Sequence, residues 1–516
     1  MKSKRSFRIT LVFLTIMYFF VVLLVESAQW FQNEWGEISF ATVVYQLSTP
    51  LAGTESGIII SYCTKVLPLT LRRVMLVVLF YYLFMRICSV IDIKFKVRIF
   101  AKKISVTLGR RFYCCVKCIF WLLLIGVSVW EIGMKVKELG VDEFVADVME
   151  SSTIFEDYYV NPDSVTITFP EEKRNLIFIF MESMENTYAS VEAGGAKAIN
   201  YIPELTDLAE DHSNISNTEK LGGIYSNALT GWTIAGLLGA TSGTPYKIPG
   251  EMNSAGKYAE FLPGIVSIGD ILEDEGYHNY FLFGSRGEFG ARDLYFRKHG
   301  NYEIRDYFYA IEQGYIPEDY WQFWGYEDYK LFEIAKTELT QIAGSGENFN
   351  YTMLTVDTHM PDGYICEHCE NKYDEKYANA ISCSSRLTYN FIQWVQEQEW
   401  YENTTIVLLG DHPSMANNFW DDIGEFDRRT YNCFINVSDT IDASGVKNRD
   451  ACTLDIFPTT LAALGVEIEG DRLGLGTNVF SDRSTLLEEM GKEKLDKEIS
   501  RYSKFYNDRL VKKSEQ

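Results

Sequence analysis

The sequence predicts an α/β domain built on a mostly parallel sheet with helices on both faces, preceded by a transmembrane helical region. Short apolar runs alternate with helix-like stretches from Asn175 onward, and long apolar runs lie nearer the start of the chain. Alternating strands and helices are typical of a parallel sheet covered on both faces. The predicted strands are Leu176–Phe180, Tyr280–Phe283, Tyr351–Val356, Thr405–Leu409 and Cys433–Val437, and the clearest predicted helix is Ala378–Gln398.

The length of 516 residues is too great for one ordinary domain. The change in composition along the chain predicts four regions. They are a transmembrane region of about three helices over 1–134, a linker over 135–174, an extracellular catalytic domain over 175–485 and a charged helical tail over 486–516.

Three apolar runs account for the predicted membrane region: Ile9–Val25, Val74–Val90 and Cys118–Met134. Each is about long enough to cross a bilayer once its flanking residues are included. A cleaved signal peptide is the alternative for the first run. The length of that run, the lack of an obvious small-residue cleavage site and the two later runs all favour a membrane helix instead.

Charge predicts the orientation of these helices. Residues 1–117 hold 16 Lys or Arg against 5 Asp or Glu, a net charge of +11, whereas the whole chain carries −23 and the remainder therefore −34. Basic residues stay on the cytoplasmic side, so the catalytic domain is expected outside the cell, attached to the membrane by several spans. Arg72 and Arg73 then fall on the outer side, against the rule. The apolar segment Gly57–Leu69 is compatible with an interfacial or re-entrant piece, or with a fourth span that would invert the topology.

The cysteines of the predicted extracellular region lie in a compartment where disulfides form. Cys433 with Cys452, and Cys383 with Cys366 or Cys369, are the expected pairs, although sequence does not fix connectivity. The alternative is a zinc site made by Cys366, His368, Cys369 and Cys383, whose spacing resembles metal ligation.

Residues able to bind a metal ion follow the predicted strands. Glu182 comes directly after one apolar run, and the Asp411-His412 pair comes after another. Ligands gather at the carboxyl ends of the strands in open α/β sheets, so these side chains are expected to meet. Carboxylate, imidazole and hydroxyl groups suit Mn²⁺, Mg²⁺ or Zn²⁺.

Thr233 opens a stretch of small and apolar residues that is predicted to be helical. A threonine there is often only a helix N-cap. A helix N-terminus also attracts phosphate, and a nearby divalent metal lowers the pKa of a hydroxyl enough to make it a nucleophile. The two interpretations are compatible, and together they predict a nucleophile in a preformed anion site.

The segments that carry these residues resemble the membrane-bound phosphoglycerol transferases of the sulfatase and alkaline phosphatase superfamily, a family similar to the lipoteichoic acid synthases. The resemblance covers residues 175–480, and its strength lies in several segments that occur in order at similar spacing. They are Asn175–Ser183, Trp232–Leu237, Gly410-Asp411-His412, Thr453–Gly465 and Arg472–Phe480.

The resemblance implies a role for each matching residue. Glu182, Thr233, Asp411 and His412 match the family's metal site, and Thr233 also matches its nucleophile. Mn²⁺ is the expected ion, with Mg²⁺ and Zn²⁺ as alternatives. Among the substrate-binding residues, His359 matches a histidine that contacts the substrate phosphate, and Arg292 matches a substrate-contacting basic residue.

The resemblance also implies the reaction, which is transfer of glycerol phosphate from phosphatidylglycerol to a glycan or teichoic acid of the cell envelope. Lipoteichoic acid synthases carry a histidine and a tryptophan where this chain has Phe283 and Gly290, which favours the glucan-decorating branch. Sulfatases proper convert a Cys or Ser to formylglycine, which Thr233 cannot become. A phosphoethanolamine transferase and a non-catalytic scaffold are the alternatives, and no nucleic-acid partner is expected.

Overall fold

The computed structural model describes residues 2–35, 40, 56–90, 93–99, 102–108, 110–247, 261–416 and 419–511. These residues divide into two compact units. One contains the N-terminal helices up to Asp142, and the other contains the chain from Glu143 onward. Each unit is described separately below.

The N-terminal unit contains long helices and one hairpin. Its elements are α1 (Lys2–Trp35), α2 (Ser56–Val90), β1 (Ile93–Ile99), β2 (Lys102–Leu108) and α3 (Arg110–Glu138). The three helices hold apolar spans long enough to cross a membrane, namely Val12–Asn33, Ile59–Arg86 and Cys115–Glu138. The prediction of three such helices is therefore confirmed.

The second span differs from its prediction. Helix α2 is continuous, so Gly57–Leu69 is its first half and not a fourth span or a separate interfacial piece. Pro68 lies inside the helix and does not end it, as is common in apolar helices whose freed backbone groups are satisfied by neighbours. The span therefore begins well before Val74, and Arg72 and Arg73 lie within it and not in an outer loop.

Arg73 joins the three long helices of this unit. Its guanidinium donates to Glu26 Oε1 of α1 at 2.6 Å and to Glu131 Oε1 of α3 at 2.5 Å. A charge within an apolar span is costly unless it is paired. The two carboxylates provide that pairing and connect α2 to both of its neighbours.

The second unit is organised around a six-stranded sheet with the order β6-β5-β7-β4-β8-β9. All neighbouring strands run parallel except β9, which is antiparallel to β8. The strands are β4 (Asn175–Met181), β5 (His278–Phe283), β6 (Glu303–Arg305), β7 (Phe349–Leu354), β8 (Thr404–Gly410) and β9 (Asn432–Ile435), while β3 (Ile167–Thr168), β10 (Glu467–Ile468), β11 (Arg472–Leu473) and β12 (Gly476–Thr477) form two small separate ladders.

Strand β4 shows why this sheet is central to the unit. Every residue of its sequence Asn-Leu-Ile-Phe-Ile-Phe-Met is buried, as expected of a strand with parallel neighbours and covered faces. Successive side chains of a strand point to opposite faces. Phe178 and Phe180 accordingly join one hydrophobic cluster, and Ile177 and Ile179 join a second.

Helices cover both clusters, which confirms the predicted mostly parallel sheet with helices on each face. Residues of α7, α8, α9 and α13 belong to the first cluster, and residues of α6, α11 and α12 to the second. The helices are α4 (Val141–Met149), α5 (Ile154–Tyr158), α6 (Pro203–Asp211), α7 (Thr233–Ser242), α8 (Ile268–Asp274), α9 (Arg292–Lys298), α10 (Tyr307–Glu312), α11 (Asp328–Ala343), α12 (Lys376–Gln396), α13 (Ile456–Ala463), α14 (Leu486–Met490) and α15 (Lys492–Ser500).

The core also includes residues outside the predicted catalytic domain. Ile154 and Phe155, from the predicted linker, are buried in the first cluster together with Leu486 and Leu495 from the predicted tail. Both segments contain a few apolar side chains among many charged ones, and a composition average hides them. The predicted boundaries at 135, 175 and 486 remain predictions, but the flanking segments pack with the sheet.

The expected disulfides are absent among the described residues, where the cysteines are free. Cys433 lies in the second cluster, where its thiol donates to the carbonyl of Leu208 at 3.4 Å. Cys452 lies in the first cluster. The central sheet separates the two residues, so the predicted bridge between them is wrong.

Candidate active site

The site is built where two adjacent strands end. Register pairs Met181 of β4 with Gly410 of β8, so the residues that follow, Glu182 and Asp411, leave the sheet side by side. The amide of Asp411 donates to the carbonyl of Met181 at 3.2 Å. Glu182 and the Asp411-His412 pair therefore lie close together at the carboxyl ends of these strands, as the sequence predicts.

Ser183 links the two carboxylates. Its backbone turns into the left-handed region with φ 52°. That turn lets its amide donate to Asp411 Oδ1 at 2.8 Å while its hydroxyl donates to Glu182 Oε1 at 2.6 Å. Each buried carboxylate is thus oriented by a hydrogen bond and retains a second oxygen for other partners.

Thr233 brings a hydroxyl to the same place. Its Oγ1 lies 3.4 Å from Glu182 Oε2 and 3.4 Å from His412 Nε2. The extended residue Trp232 is the N-cap, and Thr233 is the first residue of helix α7. The interpretation of Thr233 as an ordinary N-cap is therefore wrong, and its half-buried hydroxyl stands at the positive end of a helix.

Gly236 allows this helix to approach the strand end. A Cβ at this position would lie 2.1 Å from the carbonyl oxygen of Asp411. Real Cβ atoms do not come so close to a backbone oxygen, so a side chain here would force α7 away from β8. The glycine one turn after Thr233 is what permits Thr233 to reach Glu182 and His412.

Glu182, Asp411 and His412 form a group of ligand atoms that all lie within 4.8 Å of one another. In the described part of the chain, Asp411 Oδ2 is buried without a hydrogen-bond partner. His412 Nδ1 lies 2.9 Å from the carbonyl of Pro413, which can only accept, so Nδ1 carries the hydrogen and Nε2 faces Thr233. Carboxylate and imidazole donors converging in this way fit a divalent cation.

The electrostatics of the group reflect crowded charges. Burial alone would raise the pKa of Glu182, but the positive charges of His359, His412 and Arg292, with the Ser183 hydroxyl, bring it below its ordinary value. Burial and then the charge of Glu182 raise the pKa of Asp411 to about 7. Burial lowers the pKa of His412, but Asp411 and Glu182 outweigh it, so that pKa is raised. A cation bound here would relieve the repulsion between the two carboxylates.

His359 follows β7, the other neighbour of β4, and remains half-buried. Its Nδ1 lies 3.0 Å from the carbonyl of Met360, which leaves Nε2 available, and its ring lies 4.8 Å from that of Trp324. The imidazole is among the causes that lower the pKa of Glu182, so His359 is electrostatically coupled to that carboxylate.

Arg292 is buried at the start of α9. Its guanidinium donates to Ser285 Oγ at 2.9 Å and to the carbonyl of Phe289 at 3.0 Å, and it lies 5.0 Å from the ring centroid of Phe283. Its charge also lowers the pKa of Glu182. The structure therefore gives Arg292 an electrostatic influence on the site, exerted from a position fixed by the turn before α9.

Residues that sequence reasoning missed hold the loops in place. Thr355 Oγ1 accepts the amide of Glu182 at 2.9 Å, and the hydroxyl of Thr358 donates to the carbonyl of Glu182. Buried Glu185 accepts from Arg428 at 2.6 Å and from the amide of Ser414 at 2.7 Å. Both threonines follow the end of β7. Their position after a predicted strand is the signal that could have identified them from the sequence. The Glu185–Arg428 pair joins distant segments and leaves no local pattern.

The fold and this site together define a member of the sulfatase family, whose sequence profile matches residues 174–466. The match covers more than half of the chain, so the chain belongs to that family. Its mostly parallel central sheet is the alkaline-phosphatase-like fold that the resemblance implies.

Named relatives are more specific. The chain is 32% identical over 340 residues to phosphoglycerol transferase I of Escherichia coli O157:H7, covering 64% of this chain and 42% of that protein. It is equally similar, 32% over 340 residues, to phosphoglycerol transferase I of Shigella flexneri, with the same 64% and 42% coverage. The chain thus spans about 42% of the length of these relatives.

A solved membrane protein shares the fold. The integral membrane lipooligosaccharide phosphoethanolamine transferase A from Neisseria meningitidis aligns over 88% of this chain and 84% of its own, with a TM-score of 0.50 and 12% identity. At that identity the likeness concerns the fold alone.

Proposed function

We propose that this protein is a membrane-bound phosphoglycerol transferase, which moves glycerol phosphate from phosphatidylglycerol to a glycan or teichoic acid of the cell envelope. The observation that carries the proposal is the position of Thr233 Oγ1, 3.4 Å from both Glu182 Oε2 and His412 Nε2, at the first residue of a helix. The names of the relatives supply the transferred group, which is phosphoglycerol.

Glu182, Asp411, His412 and the Thr233 oxygen are the residues that would hold a divalent ion, and their donor set suits Mn²⁺, with Mg²⁺ or Zn²⁺ as alternatives. When bound, such an ion supplies positive charge that lowers the pKa of the Thr233 hydroxyl and offsets the charge of a phosphate. The remaining chemistry belongs to residues of the chain.

Thr233 is the nucleophile. Its hydroxyl donates to Glu182 Oε2, a carboxylate that its low pKa keeps ready to accept the proton. The threonine oxygen attacks phosphorus, the bond to the diacylglycerol oxygen breaks, and the proton given up by Thr233 passes to the departing diacylglycerol. The free N–H groups at the start of α7 receive the phosphate oxygens. Arg292 contributes positive charge to the site, since it lowers the pKa of Glu182. His359, which follows the neighbouring strand β7, is the residue that we assign to contact with the phosphate.

The second step reverses the first with a different alcohol. A hydroxyl of the acceptor attacks the glycerol phosphate held on Thr233, and the threonine oxygen leaves and regains its proton. Splitting the transfer in this way lets the lipid depart before the acceptor enters. The three apolar helices of the same chain support attachment to a membrane, which suits a lipid donor. The basic N-terminal region favours a catalytic unit on the extracellular side.

The test is donor cleavage by the full chain in mixed micelles that contain either phosphatidylglycerol or phosphatidylethanolamine. Release of diacylglycerol from phosphatidylglycerol, with a glycerol phosphate adduct on Thr233 detected by peptide mass, is the expected result. Thr233→Ala should lower release by about three orders of magnitude, since it removes the nucleophile. Thr233→Ser should retain part of the activity because it keeps a hydroxyl.

Two outcomes would change the proposal. Cleavage of phosphatidylethanolamine alone would make the protein a phosphoethanolamine transferase with the same mechanism. Diacylglycerol release by Thr233→Ala at nearly the parental rate would mean that water or another residue attacks phosphorus, and the two-step mechanism would be wrong.

A further inference from the structure

The long loop after β7 and the helix that follows it together carry three thiols that the proposed reaction does not use. Cys366 Sγ lies 3.5 Å from Cys369 Sγ and 3.9 Å from Cys383 Sγ, and all three sulfurs lie within 4.8 Å of one another. Cys366 and Cys383 are buried and Cys369 is half-buried. These three residues are called the cysteine cluster below.

The sulfur separations decide between a disulfide and a metal site. A disulfide needs sulfurs at about 2.0 Å and uses only two of them. Thiolates around tetrahedral zinc sit at about 2.3 Å from the ion, which places neighbouring sulfurs about 3.8 Å apart. The observed distances of 3.5 and 3.9 Å match the edge of that tetrahedron. A third sulfur in the same group has no role in a disulfide but is a further vertex of a metal site.

A positively charged side chain lies beside the sulfurs. The guanidinium of Arg386 lies 3.8 Å from Cys383 Sγ, while it also donates to the carbonyl of His368 at 2.5 Å. Deprotonated sulfur is the form that binds metals. A guanidinium beside such sulfurs is typical of the charge that stabilises them.

His368 is not one of the ligands. Its ring stacks on Tyr329 with centroids 3.5 Å apart, and it is absent from the converging group. The four-residue zinc site considered from the sequence is therefore reduced to its three cysteines. The ring was a reasonable candidate because it lies between Cys366 and Cys369 in sequence, but the loop stacks it on Tyr329 instead.

We propose that Cys366, Cys369 and Cys383 bind a zinc ion, which fastens the loop that carries His359 to helix α12. Residues 355–375 form neither helix nor strand, and a loop of that length is costly to hold in one conformation. Cys366 and Cys369 belong to this loop, and Cys383 belongs to α12. Each thiol that binds gives its proton to solvent, so the site forms without an oxidant.

The connection to His359 runs through the backbone. The amide of Gly363 donates to the carbonyl of His359 at 3.1 Å, and the amide of Tyr364 donates to the carbonyl of Asp357 at 2.7 Å. Three residues after Gly363 the chain reaches Cys366. A metal ion at the cluster would therefore fix the turn that presents the His359 imidazole, without contacting substrate.

Cobalt is the probe that separates this site from Glu182, Asp411 and His412, because only sulfur ligands give thiolate-to-cobalt charge-transfer absorption. The reduced full chain in detergent is loaded with Co²⁺ and its near-ultraviolet spectrum recorded. We expect the charge-transfer band in the parent and its loss in Cys383→Ser. The band should stay in Ser384→Ala, which changes the neighbouring position of α12, and in Cys433→Ser, which removes an isolated thiol.

A second measurement does not depend on any variant folding. In the parent protein, Zn²⁺ should protect the cluster from alkylation, and peptide mass should locate the protected thiols at Cys366, Cys369 and Cys383. Absence of the cobalt band in the reduced parent would overturn the proposal. So would non-reducing peptide mass that finds two of these cysteines joined and lighter by a hydrogen pair.

Discussion

Two groups of candidate metal ligands lie on the same sheet-bearing unit and are assembled in different ways. The strand-end site, made by Glu182, Thr233, Asp411 and His412, draws its residues from segments as far apart as positions 182 and 412. The cysteine cluster draws its three sulfurs from a short stretch between Cys366 and Cys383. The first offers oxygen and nitrogen, the second only sulfur.

The two sets of donors suit different roles. Oxygen and nitrogen donors from separate strand ends lie beside a half-buried hydroxyl, as a site that activates a nucleophile requires. Sulfur donors from one loop and the adjoining helix fasten that loop and present no nucleophile to a ligand. The comparison predicts that each group can be damaged while the other is left intact.

Removal of one ligand should have the largest effect. Asp411→Ala deletes a carboxylate whose second oxygen has no hydrogen-bond partner among the described residues, so it removes a ligand of the strand-end site. We expect Mn²⁺ binding by the full chain to be lost while the cobalt charge-transfer band of the cysteine cluster is kept. Cys383→Ser should show the opposite pattern. Loss of both signals in either variant would show that the two groups of ligands are not independent.

The proximity of Glu182 to Asp411 and His412 was predictable from the sequence, because these residues follow strands that the fold class makes neighbours. Glu182 follows β4 and Asp411 follows β8, and those strands pair in register. The three apolar spans were predictable from hydropathy for a similar reason, since length and composition suffice.

Other features depend on tertiary structure, which no local sequence pattern reveals. Continuity of α2 through Pro68 was missed because a proline usually signals a break. The Arg73 pairs with Glu26 and Glu131 were missed because the partners come from other helices. Disulfide pairing was wrong because the side of the sheet on which Cys433 and Cys452 lie is a tertiary property.

The close approach of α7 to β8 gives the next prediction. Gly236→Ala would place a Cβ 2.1 Å from the Asp411 carbonyl oxygen, and the enforced shift should lower the free energy of unfolding by about 1–3 kcal/mol. Chemical denaturation of the full chain in detergent measures it. Gly231→Ala is the matched control, since a Cβ there meets nothing within 4 Å. Equal effects of both substitutions would show that the approach does not constrain Thr233.

Ser183 tests the orientation of the two carboxylates. Ser183→Ala removes the hydroxyl that donates to Glu182 Oε1 at 2.6 Å. It keeps the hydrogen bond from the backbone amide of residue 183 to Asp411 Oδ1. Loss of such a partner behind a ligand should weaken Mn²⁺ binding by about 10- to 100-fold. Titration calorimetry on the parent and on Ser183→Ala gives the ratio. Unchanged affinity would mean that the Glu182 carboxylate is held by the ion alone.

Proton competition should produce the smallest change and is specific to the strand-end site. Burial and Glu182 raise the pKa of Asp411 to about 7 in the metal-free protein, so below that pH a metal ion must displace a proton. His412, whose pKa is also raised, must lose its proton as well before its Nε2 can bind a metal ion. Mn²⁺ affinity should therefore fall by at least about tenfold for each pH unit below 7. In the absence of metal, the stability of the folded protein has the opposite dependence on pH. Because the folded pKa of Asp411 exceeds its ordinary value, the apo protein should lose stability as pH rises from about 4 toward 7. Calorimetry across this range with the parent and Cys383→Ser should give the same slope, since the cysteine cluster takes no part. A slope that changes in Cys383→Ser would mean that the two groups share protons, and they could not then be treated as separate sites.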